Sequence, residues 1–199
     1  MRFSRRTKLV AAFIIVIAVG YGLVLLWQSE NQVPVAFVNA RAQGAIIAQN
    51  IVNISGQSNA TLAEVNADDA KGDYADALTL VSGMVTQSED LRNQAVDLSN
   101  QIEQMTQSLS DINSFEARQA ALNSISSNLA LINQLINYSG DLGNLLDALQ
   151  ARFTGQGKSV NNAEIQGFVS QINTDVNAIN NFNAQATTAM QEFDKITGK

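Results

Sequence analysis

One uninterrupted apolar run, Leu9 to Trp27, constrains this chain more than any other feature, because Arg2, Arg5, Arg6 and Lys8 stand directly before it. A helix over the run is roughly 28 Å long, about the hydrocarbon thickness of a bilayer. The next basic residue is Arg41. The positive-inside rule then predicts a short cytoplasmic tail over 1–8, a transmembrane anchor over 9–27 and an extracytoplasmic remainder. The expected localisation is the cell membrane, single-pass, N-terminus inside. Trp27 suits the exit interface, and Ala18 with Gly22 forms a small-xxx-small pair able to pack two anchors together.

Two export signals compete with this reading. A cleaved secretory signal has a shorter apolar core and a nearby small-residue cleavage site. Here the core ends in Leu25-Leu26-Trp27-Gln28, and Val38-Asn39-Ala40 lies far beyond it. Ser4-Arg5-Arg6 resembles a twin-arginine signal, but Lys8 stands where that motif prefers an aromatic residue. A retained signal-anchor is the simpler reading.

Composition narrows the chemistry. The chain has no cysteine and no histidine, which removes disulfides, thiol nucleophiles, the commonest general base and the commonest transition-metal ligand. Net charge is −6, from 12 basic and 18 acidic residues. The four basic residues before the apolar run leave the remainder more acidic still, with its basic residues scattered singly. Nucleic acid and anionic headgroups both want clustered Lys and Arg, so neither is an expected partner. Charged residues are 15% of the chain, below the usual share of about 25%, and Asn, Gln, Ser and Thr take the polar positions. Hydrophobic content of 46% and strong periodicity argue for a packed fold rather than disorder.

After a linker over 28–34, closed by Pro34, the only proline, four long amphipathic segments are predicted over 35–199. The first, about 35–70, carries Phe37, Ala40, Gly44, Ile47, Ile51, Ile54, Ser58, Thr61 and Val65 at alternating steps of three and four. It stops at Lys71-Gly72, where Asp73 is placed to cap the second segment, about 73–111. That stripe runs from Tyr74 through Val81, Ser88, Leu91, Leu98 and Met105 to Ile112, with one short step between Ser88 and Leu91. Asn113 and Glu116 suggest a capping box for the third segment, about 114–153. Its expected stripe is Phe115, Leu122, Ile125, Leu129, Ile132, Ile136, Leu142, Leu146, Leu149 and Phe153, with Ser139-Gly140 and Gly143 weakening the middle. Gly155-Gln156-Gly157 marks a loop. The fourth segment, about 160–197, carries Ile165, Phe168, Ile172, Val176, Ile179, Phe182, Ala186, Met190 and Phe193, and ends at Gly198. Similar lengths and short connections predict an all-α fold: a transmembrane helix followed by an antiparallel up-down four-helix bundle. Closed-bundle and open arrangements fit the pattern equally. Gly72–Leu78 resembles the turn of a tetratricopeptide repeat, but no second copy follows, and a plain helical-hairpin corner accounts for it.

Chemistry-bearing constellations are sparse. Asp68, Asp69, Asp73 and Asp76 gather at the first corner without EF-hand spacing, and a solvated acidic turn explains them better than a Ca²⁺ site. Glu89-Asp90 and Asp141-Asp147 are carboxylate pairs of the kind an acidic bundle produces by chance. No catalytic residue, metal site or cofactor is expected. Asn133, Asn137 and Tyr138, then Asn173, Asn177, Asn180 and Asn181, recur near helical spacing. Buried asparagines can fix helix register or hold a polar ligand; Asn133, Asn137, Asn177 and Asn180 are the candidate positions. Asn53, Asn59 and Asn137 begin glycosylation-type triplets, as an Asn-rich chain does by chance.

The expected function is a structural or protein-interaction module of the cell envelope, partnered by an envelope protein or by copies of itself. The alternative is sensory. The predicted bundle is similar in architecture to the periplasmic four-helix domains of bacterial chemoreceptors and sensor kinases, which implies a small ligand between helices. Those receptors continue into a second membrane span, whereas this sequence ends at Lys199, so sensing here is expected to pass through a partner.

Overall fold

The computed structural model describes residues 33–155 and 162–198. The predicted tail, the anchor, most of the linker and Gln156-Gly157 lie outside the described residues. Among those described, the chain is all-helical, with no strand. Four helices, α1 (Val35–Lys71), α2 (Tyr74–Gln107), α3 (Phe115–Thr154) and α4 (Asn162–Thr197), form a bundle, with one 3₁₀ turn at Leu109–Asp111. None of them is long and apolar enough to cross a membrane.

Local chemistry explains the helix ends. Pro34 precedes α1 with φ −55° and ψ 135°, the fixed dihedral that suits a helix start. At the other end Gly72 sits at φ 84°. Its N–H reaches the Asp69 carbonyl at 3.3 Å, and the Asp73 N–H reaches that of Asp68 at 3.0 Å, a Schellman arrangement that uses the carbonyls left over at a helix end. Asp73 does stand before α2, but its side chain makes no cap bond. The second helix also ends earlier than its pattern suggests. After Gln107 the chain tightens into the 3₁₀ turn, and the Ser108 hydroxyl donates to the Gln104 carbonyl at 2.9 Å, competing with further α-helical bonding. The cap of α3 is Ser114 rather than Asn113: Ser114 Oγ accepts the Ala117 N–H at 3.2 Å. The third helix runs unbroken through Ser139, Gly140 and Gly143. The fourth begins by Asn162, and Gly198 follows its end at φ 76°.

Side-chain pairs fix how the helices run. Phe37 near the start of α1 meets Phe193 near the end of α4, with ring centroids 5.2 Å apart. At the opposite end Tyr74 stacks on Phe153 at 5.7 Å, and Arg152 reaches Asp69 at 3.0 Å. Neighbours in sequence therefore run in opposite directions. Extensive close backbone approach joins α1 to α2, α2 to α3 and α3 to α4. The seam between α1 and α4 is bridged by longer side chains, including a bidentate Arg41–Asp194 pair at 2.7 and 2.8 Å.

The core follows the expected stripes on α1 and α2 except at Tyr74, which is exposed at the corner against Phe153 while Ala77 takes the buried place. Phe37, Ala40, Ile51, Val65, Val81, Leu91, Leu98, Ile102 and Met105 are all buried, and the short step at Ser88–Leu91 is retained. On α3 the stripe is corrected. Phe115, Leu122 and Leu129 are exposed at 69%, 44% and 47%, while Ala117, Ala121, Ser124, Leu131, Leu135, Tyr138 and Ser139 are buried. The small side chains let α2 and α4 approach closely, which turns the large Phe and Leu residues outward.

Candidate functional site

Polar groups pin each helix pair at a defined register. Between α1 and α2, the Ser58 hydroxyl donates to Gln87 Oε1 at 3.0 Å. Between α2 and α3, Ser88 and Ser139 are reciprocal: Ser88 Oγ donates to the Ser139 carbonyl at 2.9 Å, and Ser139 Oγ to the Ser88 carbonyl at 2.8 Å. Between α3 and α4, Ser124 Oγ donates to the Ala186 carbonyl at 3.0 Å. Serine is small enough to sit where helices touch and satisfies itself on a facing carbonyl.

An acid also lies at the α3–α4 contact. Asp175 is only 1% exposed. Its Oδ1 accepts from Gln134 Nε2 at 2.6 Å and from Gln171 Nε2 at 3.1 Å, its Oδ2 is buried without a hydrogen-bond partner, and Asp141 on α3 stands near the same carboxyl. Burial raises the Asp175 pKa, and the carboxyl–carboxyl contact raises it further, outweighing the two amide donors. Tyr138, also buried, is pushed up to about 12, first by burial and then by the charge of Asp175. It stays neutral.

The asparagine positions diverge. Asn133, Asn137 and Asn177 are exposed, so they do not meet across the bundle. Asn180 is half-buried, and its Nδ2 is buried without an acceptor. It lines a cavity of about 60 Å³ bounded by all four helices. The membrane-anchor positions Arg2, Arg5, Arg6, Lys8, Leu9 and Trp27 lie outside the described residues. At the acidic corner, Lys71 Nζ pairs with Asp68 at 2.9 Å and Arg152 with Asp69. Among the described residues no three acidic side chains gather as a metal ion requires.

Sequence reasoning missed Asp175, the serine pins and the Arg41–Asp194 pair. A signal existed for the first, since Asp175 falls between Ile172 and Ile179 on the apolar spacing of α4.

The outer surface is divided by charge. No charged residue occurs between Arg118 and Asp141 on α3, or between Asp175 and Glu192 on α4. On α2, by contrast, Glu89, Asp90, Arg92, Asp97 and Glu103 are exposed. Leu122 and Leu129 therefore stand on an uncharged stretch of α3, whereas exposed Phe115 precedes that stretch beside Glu116. Beside them a shallow polar groove runs between α3 and α4, lined by Asn123, Ser126, Ser127, Gln185 and Thr188. No protein-family model matches the chain, and neither curated proteins nor solved structures give a match.

Proposed function

We propose that this protein is a membrane-anchored, extracytoplasmic helical bundle acting as a structural or protein-interaction module of the cell envelope. The observation that carries the reading is the outer face of α3, where exposed Leu122 and Leu129 sit in a stretch free of charged residues, with exposed Phe115 just before it. Depletion of charge with large apolar groups exposed marks surfaces that bind other proteins. Anchoring is supported by the apolar run after a basic cluster. The start of α1, which follows that run in sequence after the linker, and the end of α4 lie together at one end of the bundle.

The partner is an envelope protein or a second copy of this chain, docked along α3 and α4. In-cell crosslinking of the tagged full-length protein, followed by affinity capture and mass spectrometry, tests this directly. A stoichiometric envelope partner or a defined self-oligomer is expected. Recovery of uncrosslinked monomer alone contradicts it.

A further inference from the structure

The cavity at the middle of the bundle is built differently from the packed ends. Ile51, Leu98, Leu135 and Val176 form apolar walls from α1, α2, α3 and α4 in turn, and the half-buried Ala48 and Ile179 stand where α1 faces α4. Protein interiors are normally packed to near-crystalline density, so about 60 Å³ shared by four helices is a specific feature. The α1–α4 seam beside it lacks the close backbone approach of the other neighbouring pairs, which supplies a route in.

Ser55, Tyr138, Asn180 and Asn183 interrupt the apolar lining, and Asn180 has the unmet donor. The Asn180 amide is held at the wall with its Nδ2 buried and no acceptor on any neighbouring residue. An unmet buried donor costs about 1–3 kcal/mol, and a chain that keeps one beside an apolar space leaves a place for an acceptor from outside.

We infer that the cavity is a binding site for a small neutral molecule that has a compact aliphatic group and one hydrogen-bond-accepting oxygen. The aliphatic part lies against Ile51, Leu135 and Val176, and the oxygen accepts from Asn180 Nδ2. Charged ligands are excluded, because nothing in the wall repays their desolvation. The inference is independent of the α3–α4 interaction face and holds whichever protein docks there.

The test is a titration of the full-length protein in lipid nanodiscs with 2-butanone, read by methyl NMR. Saturable shifts at Ile51, Val52, Leu135 and Ile179, with Val35 and Ile196 at the bundle end unmoved, are the expected result. Two variants separate the parts of the site. Asn180→Leu should weaken 2-butanone binding about tenfold, the loss of one hydrogen bond. Ala48→Leu, which fills the space, should abolish it, and matching circular dichroism spectra show that both variants are folded. Shifts that never saturate, or that spread evenly over all methyls, overturn the inference. So does a native affinity retained by Asn180→Leu.

Discussion

At the scale of single residues, Asp175 ties the stability of this bundle to pH. Its carboxyl is buried against α3 and shares a contact with Asp141, so the folded state binds a proton more tightly than the unfolded chain does. The raised pKa sets the sign. Stability from this group is complete in acid, below the ordinary carboxylate value of about 4, and is lost as pH rises through the raised value. Without histidine the chain has few other groups that titrate between pH 5 and 8. The melting temperature of the full-length protein should therefore fall as pH rises above the ordinary carboxylate value, and Asp175→Asn should flatten the slope. An equally steep slope in the variant would show that the dependence arises elsewhere. Asn180 belongs at the same scale. Of the four asparagines singled out by spacing, it alone reaches the interior, because it flanks the Ile179 and Phe182 stripe while Asn133, Asn137 and Asn177 fall on outer faces.

At the scale of elements, the helices are held in register by small polar contacts rather than by large charged ones. The reciprocal Ser88–Ser139 pair is the clearest case, since each hydroxyl uses the other helix's carbonyl. Ser88→Val removes the bond donated by the Ser88 hydroxyl, leaves Ser139 its backbone acceptor, and adds bulk where two helices touch. It should cost about 1–3 kcal/mol, read from urea unfolding followed by circular dichroism; a variant of native stability would mean the contact adds nothing. The same contact explains what the amino-acid pattern conceals. Apolar spacing located all four helices, because a stripe at steps of three and four has few other interpretations. On α3 it places Ile125, Ile132, Leu142, Leu146 and Phe153 in the core but fails at Phe115, Leu122 and Leu129, because the small Ala117, Ala121, Ser124 and Ser139 occupy the contact. Smallness at a helix interface depends on the distance to the partner helix, and a single stripe does not encode that distance. The cap of α3 was displaced by one residue for a related reason: Asn113 and Ser114 are both competent caps, and only the path of the chain after Ile112 decides between them.

At the scale of the whole molecule, each end of the bundle is closed by an aromatic pair and an Arg–Asp pair. Phe37 with Phe193 and Arg41 with Asp194 close one end; Tyr74 with Phe153 and Asp69 with Arg152 close the other. Between them lie the cavity and the half-buried positions of α4. Charge is distributed unequally around the circumference, with α2 charged and the central α3–α4 face neutral and partly apolar. These features support the proposal of an envelope-facing bundle that docks a protein along α3 and α4. Photocrosslinking amino acids placed singly at Leu122, Leu129, Arg92 and Glu103 in the full-length protein, irradiated in intact cells, test that claim most directly. The account predicts one discrete adduct from Leu122 and Leu129 and none from the α2 positions. Equal adducts from both faces, or none from α3, would contradict it.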